Sequence, residues 1–256
     1  MGKFRKPEQP ISGTYRAAEP IIMGFLKATT RPEWIDGQKI PATGGVILAL
    51  NHVSHIDPLT AARLTWDWGR QSHYLAKSTL FKNKQFGRFM RAAGQIPVER
   101  ASGGIEALRE AIDSVNAGNL IVVYVEGSIT KDPAGWPMVG KSGAARIALE
   151  TGAPVIPVGQ WGAQYLLNGY EKKFRPIPRK RVRMKVGDPV DLSDLAAQPR
   201  NRQLLDVATD RIMRAIVGLV ADLRGEEPPA ELFDPRKAGV RDTGNPDRSA
   251  HGEGSV

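Results

Sequence analysis

The sequence predicts an α/β fold, a buried mixed sheet flanked by helices, with an N-terminal amphipathic helix before it and a disordered C-terminal tail after it. Two observations predict it. Short apolar runs alternate along the chain with longer segments of helical periodicity. The runs are apolar on consecutive positions, as in strands covered on both faces. The 256 residues suffice for one packed core.

Residues 12–29 carry Ala18, Ile22, Phe25 and Thr29 at helical spacing, with Tyr15, Ile21 and Leu26 beside them and Arg16, Lys27 and Arg31 at the border. This helix, despite Pro20, suits either packing on the core or lying on a membrane surface. Buried strands are predicted at 45–50, 96–98, 120–125 and 155–158, with a shorter one at 74–76. Between them, residues 103–117 read as a helix with Ile105, Leu108, Ile112 and Val115 on one face, Ser102 at the cap and Gly118 at the stop. Another helix is expected over 142–150. Residues 181–186 alternate charged and apolar side chains and predict a strand with one solvated face. A last helix spans 201–224, with a stripe of Leu205, Ala208, Ile212, Ile216, Leu219 and Leu223 and a stop at Gly225. Beyond it Pro, Gly, Asp and Arg prevail, which predicts a disordered or loosely attached tail. The expected organisation is an N-terminal helix over 1–33, a main domain over 34–224 and a flexible tail over 225–256.

Thirty-six Lys and Arg against 27 Asp and Glu leave a net charge of +9. A basic body calls for an anionic partner: nucleic acid, a phospholipid surface or a phosphorylated small molecule. No cysteine occurs, which excludes disulfides, thiolate metal sites and thiol nucleophiles. No run approaches the ~18–20 apolar residues of a spanning helix. The segment from Met1 to Pro7 is charged without an apolar stretch and small-residue cleavage site, so the chain is expected on the cytosolic side.

Histidine chemistry has four candidates: His52, His55, His73 and His251. His52 follows the first buried strand in Asn51-His52-Val53-Ser54-His55-Ile56-Asp57-Pro58. Asp57 and Pro58 suit a helix start, the carboxylate as cap and the proline in the first turn. The same carboxylate is equally able to orient an imidazole, with His52 as general base toward a hydroxyl and Asp57 as its partner. His55 reads as a loop residue, His251 as solvated, and His73 has no carboxylate partner in sequence.

This Asn-His-x-x-x-x-Asp run resembles the first motif of the lysophospholipid acyltransferase family, typified by 1-acyl-glycerol-3-phosphate acyltransferases. Three further blocks follow in that family's order: Gly94 to Arg100, Tyr124-Val125-Glu126-Gly127-Ser128, and Ala153 to Val158. The resemblance implies an acyltransferase-like fold and transfer of a fatty acyl group from acyl-CoA, or another thioester such as acyl carrier protein, to a lysophospholipid hydroxyl. It makes His52 the base and Asp57 its partner, with Arg100, Glu126 and Gly127 on the acceptor's polar head. No metal, cofactor or covalent intermediate is implied, because a thioester is already activated. It also implies peripheral attachment to the cytoplasmic face of an anionic membrane.

Two positions depart from the family's third block: Val125 replaces a proline and Ile129 an arginine. Isoleucine cannot make the two-point contact with phosphate that a guanidinium makes. Lys77, Lys131 and Lys141 are the candidate substitutes, Lys131 equally readable as a solvated surface charge.

Two other readings compete. Gly135 to Ser142 spell Gly-x-x-x-x-Gly-Lys-Ser, the letters of a phosphate-cradling loop, although the preceding strand is expected to end well before it. The cations between 172 and 185 suit a non-enzymatic binder of anionic lipid or nucleic acid. Nucleic acid is not expected, since Phe174 is the one ring nearby to stack on a base.

Overall fold

Period-two alternation along the short apolar runs sets the layers. In the computed structural model of the chain, which describes residues 4–98, 104–171 and 173–240, one sheet holds β1 (Thr30–Ile35), β2 (Val46–Leu50), β3 (Ser72–Lys77), β4 (Ile96–Val98), β5 (Leu120–Tyr124), β6 (Val155–Trp161) and β7 (Lys180–Val186). The helices are α1 (Gly13–Thr29), α2 (Asp57–Asp67), α3 (Lys84–Ala92), α4 (Ile105–Asn116), α5 (Gly143–Thr151), the single turn α6 (Ser193–Ala196) and α7 (Arg202–Arg224). Strand order is β1-β7-β6-β2-β5-β3-β4. From β6 to β4 every pairing is parallel; β7 runs antiparallel to β6, and β1 lies parallel to β7 at the edge.

Ile47 and Ala49 of β2, with Ile121 and Val123 of β5, face a core closed by α4, α5 and α7. Val46, Leu48 and Leu50, with Leu120 and Val122, face the opposite side, where Ala61 and Leu64 of α2 cover them. Because the central strands are parallel, the ends of β2, β5 and β6 open on one edge. Loops there share a single edge of the sheet, the usual site of function in open parallel sheets.

α1 begins at Ser12, whose hydroxyl accepts from the Tyr15 amide. It packs on α2 through Met23 and the Tyr15 ring against Trp66. Its buried face is Met23, Leu26 and Thr29, rotated from the expected stripe, so Ile21 and Phe25 point outward. α4 starts at Gly104, a left-handed residue at φ 72°, not at Ser102, which lies outside the described residues. Ala107, Ala111 and Val115 fill the core, and Ile105 is 57% exposed.

β1 runs across residue 33 and was not expected. Its Thr-Arg-Pro-Glu sequence lacks an apolar run because it is an edge strand, and β7 supplies its pairing. Residues 225–240 carry no helix or strand, but the Val139 amide donates to the Phe233 carbonyl and Leu232 packs on the core. Residues 241–256, His251 among them, lie outside the described residues.

α7 reaches the sheet across Gly159 of β6. A Cβ there would stand 2.7 Å from Leu219 Cβ and 2.8 Å from the Leu219 carbonyl carbon, closer than packed atoms come. Gly159→Ala is expected to lift α7 from β6 at about 1–3 kcal/mol of stability, read as a lower midpoint in urea unfolding. An unchanged midpoint would contradict that contact.

Candidate active site

β2 ends at Leu50, and the chain turns through Asn51 and His52 before α2 begins at Asp57. Asp57 opens α2, but its carboxylate does not cap the helix amides. It turns back, and its Oδ2 accepts from His52 Nδ1 at 2.8 Å, the Val53 amide at 2.7 Å and the Ser54 amide at 2.8 Å. Asp57 is fully buried. Burying a carboxylate is costly without donors, and these contacts, each on the order of 1.5–3 kcal/mol for a charged acceptor, offset that cost. Oδ1 has no hydrogen-bond partner among the described residues.

With Nδ1–H donating to Asp57, the neutral ring carries its lone pair on Nε2. That is the atom left to take a proton. The imidazole, 15% exposed, stacks on the Tyr124 ring at 4.2 Å between centroids. The Tyr124 hydroxyl is buried, and desolvation raises its pKa well above the usual value, so it stays a neutral phenol.

The main chain of His52 is tied down at both ends. Its amide donates to Glu126 Oε1 at 2.8 Å, and its carbonyl accepts from the Thr130 amide at 2.8 Å. Glu126 Oε2 accepts from the Met138 amide at 2.9 Å. Beside them Asn51 is locked to β6: its Oδ1 accepts from the Gln160 amide, and its Nδ2 donates to the Gln160 carbonyl. The buried loop that bears His52 is held by the carboxyl groups of Asp57 and Glu126, an arrangement able to orient a general base.

Residues 32–161 match the model of a family described as Acyltransferase, just over half of the chain. The chain belongs to the acyltransferase family. Among curated proteins it is similar to a 1-acyl-sn-glycerol-3-phosphate acyltransferase of Bacillus subtilis (strain 168), 26% identical over 167 residues that take in 65% of this chain and 77% of that protein. It is also similar to one of Streptococcus pneumoniae, 28% identical over 65% of this chain and 57% of that protein. Among solved structures it shares its fold with the 1-acyl-sn-glycerophosphate (LPA) acyltransferase PlsC from Thermotoga maritima, at a TM-score of 0.61, 22% identity and 84% coverage of both chains.

In this acyltransferase Glu126 does not sit where the resemblance implied. It is fully buried with one oxygen on the His52 amide and the other on the Met138 amide, so it braces the His52 main chain from behind. Burial pushes its pKa up to about 8, against the pull of the Met138 and His52 amides and the Thr130 hydroxyl. Gly127 and Lys141 are brought together. Gly127 has φ 72°, and a Cβ on it would stand 2.9 Å from Lys141 Cδ, so the exposed lysine lies across the glycine. Lys77 ends β3 at the same sheet edge, and Arg100 lies outside the described residues. Lys131 is buried, 6% exposed, which corrects the solvated reading. Ile129 is buried too: a Cβ on Gly169 would stand 2.7 Å from its Cγ2, and its carbonyl accepts from the Tyr170 hydroxyl at 2.6 Å. It is a plug under the 166–170 loop.

The phosphate-cradling reading fails on its amides. The Trp136 amide donates to Asp132, Met138 to Glu126, Val139 to the Phe233 carbonyl and Lys141 to the Val125 carbonyl, leaving these groups engaged within the protein. β5 also ends ten residues before Gly135's neighbour Ala134. In the basic segment, Arg181 pairs with Glu33, Lys185 with Asp222 and Lys173 with Glu171, while Arg179 donates to the Thr30 carbonyl. Lys172 lies outside the described residues.

The sequence places Tyr124 in a strand and in the third block and gives its ring no role of its own. Tyr124→Phe keeps the stacked ring and should keep most of the turnover, whereas Tyr124→Ala should lose at least tenfold, on the order of 1.4 kcal/mol, in kcat/KM. Equal values for the two variants would show that the ring does not hold the imidazole. Glu126 has a native pKa raised from its ordinary 4.5 to about 8, so its contribution to stability is full below about 4.5 and is lost as pH rises through about 8. Across that window wild type should lose stability relative to Glu126→Gln in thermal unfolding; a constant difference would contradict the raised pKa.

Proposed function

We propose that this acyltransferase moves a fatty acyl group from acyl-CoA, or another acyl thioester, to the free hydroxyl of a lysophospholipid such as 1-acyl-glycerol-3-phosphate. The observation that carries the reading is the His52 to Asp57 contact of 2.8 Å at the open end of the parallel strands. The names of the similar bacterial proteins give the acceptor class.

His52 Nε2 takes the acceptor hydroxyl's proton as the oxygen attacks the thioester carbonyl. Asp57 stabilises the imidazolium that forms. When the tetrahedral adduct collapses, the C–S bond breaks, the new C–O ester bond stays, and the imidazolium returns its proton to the leaving thiolate. Positioning and proton transfer supply the acceleration, and neither a metal nor a covalent intermediate is needed. Lys141 beside Gly127, with Arg100 and Lys77, is assigned to the acceptor's phosphate in place of the absent arginine. The enzyme works on the cytoplasmic face of an anionic membrane, attached peripherally; no helix among the described residues is long and apolar enough to cross a bilayer.

The test is acyl transfer to 1-acyl-glycerol-3-phosphate, with acyl-CoA and acyl carrier protein compared as donors. His52→Ala and Asp57→Asn should each lower kcat by about 10²–10⁴-fold while the fold persists. Retained turnover in both variants would overturn the mechanism, and no transfer by wild type to any lysophospholipid would overturn the substrate.

A further inference from the structure

α3 is attached to the body differently from its neighbours. Among its described residues Gly87 is the buried one, pressed so close to the Phe81 carbonyl that a Cβ would collide with it. The large side chains point the other way. Phe86 is 46% exposed and Phe89 40%, their rings stacked on each other, and Leu80 in the turn before α3 is 46% exposed. A nine-residue helix is marginal on its own in water, so this one leaves its best apolar groups unused.

Lys82 precedes α3, and Lys84, Arg88 and Arg91 lie on it, all exposed, with the Arg91 guanidinium 5.2 Å from the centre of the Phe81 ring. Residues 72–98 contain no Asp or Glu, and no ion pair among the described residues engages these four cations. That separates them from the 173–185 cations, which are paired within the protein. α3 follows β3, whose end lies on the same sheet edge as the loop from Asn51 to Asp57. Phe25 of α1, stacked on Phe174, and the 76%-exposed Ile21 add apolar surface on a helix in contact with α3.

We propose that the turn from Ser78 to Phe81 and α3 form the surface by which the enzyme docks on an anionic lipid bilayer. Leu80, Phe86 and Phe89 enter the boundary between headgroups and acyl chains, and Lys82, Lys84, Arg88 and Arg91 meet lipid phosphates. A helix with an exposed apolar face and a cationic face is what such an interface recognises. A second copy of this chain is the poorer occupant, because it carries the same net charge of +9, whereas an anionic bilayer attracts that charge. The proposal deepens the reading of the acceptor as a lysophospholipid and rests on it for its purpose: a lipid in the bilayer would reach His52 along the docked edge. It also shifts the anchor from α1, whose Met23 and Leu26 are spent on the core.

The experiment is co-sedimentation of the full chain with vesicles of phosphatidylcholine alone or mixed with phosphatidylglycerol, beside acyl transfer to a monomeric short-chain lysophosphatidate. Wild type should prefer the anionic vesicles and release with salt. The Phe86→Ser/Phe89→Ser variant should bind them on the order of tenfold or more weakly, with turnover on the monomeric acceptor unchanged. Lys84→Glu/Arg88→Glu should lose the anionic preference and provides an independent check should the first variant fold poorly. Binding by both folded variants equal to wild type would overturn the docking surface, as would a wild-type dimer dissolved by either variant without change in vesicle binding. Vesicle binding through α3 without lysophosphatidate turnover would leave the surface standing and overturn the substrate instead.

Discussion

One oxygen carries the account. Asp57 Oδ2 accepts hydrogen bonds from His52 Nδ1 and from the amides of Val53 and Ser54, so the orientation of the imidazole and the shape of the loop that bears it are the same set of hydrogen bonds. In a fully buried position this set cannot loosen without stranding a carboxylate. The His52 ring is therefore oriented, with its tautomer chosen, before any substrate binds.

Around that oxygen the protein removes freedom step by step. Glu126 bridges the His52 and Met138 amides and so ties the base to the segment that follows β5. Asn51 and Gln160 join β2 to β6 at the point where the sheet opens. The far side is clamped by Arg224 at the end of α7, whose guanidinium lies 4.0 Å from the Trp136 ring and 4.4 Å from the Trp161 ring. The Trp136 carbonyl accepts from Thr130, and the Thr130 amide donates to His52. Rigid elements thus reach His52 from three directions, and a side chain so fixed is what proximity and orientation effects require.

The central sheet was legible because its strands are buried on both faces, and α7 because its stripe, Asn201 cap and Gly225 stop agree with one another. β1 was hidden because an edge strand needs no apolar run, and α3 because its apolar side chains are not packed against the core. The stripe on α4 was displaced because Ala107 and Ala111, small enough for close approach, take the core and Ile105 does not. In the site, the spacing of His52 and Asp57 allowed a base and its partner. Sequence alone could not tell a helix cap from a carboxylate folded backwards, since both use the same residue at the same turn. The direction of Glu126 was hidden for a related reason: a motif gives a residue's identity, and only coordinates show that its carboxyl group turns to the His52 and Met138 amides. The Tyr124 ring carried a signal, one aromatic at the last position of a strand beside the histidine strand, that its apolar neighbours masked.

The most direct measurement is nitrogen NMR of the His52 ring, assigned by its loss in His52→Gln, at a pH where the ring is neutral. Proton on Nδ1 and a bare lone pair on Nε2, with that preference abolished in Asp57→Asn, is the predicted result. A neutral ring that carries its proton on Nε2 in the wild-type enzyme would contradict it.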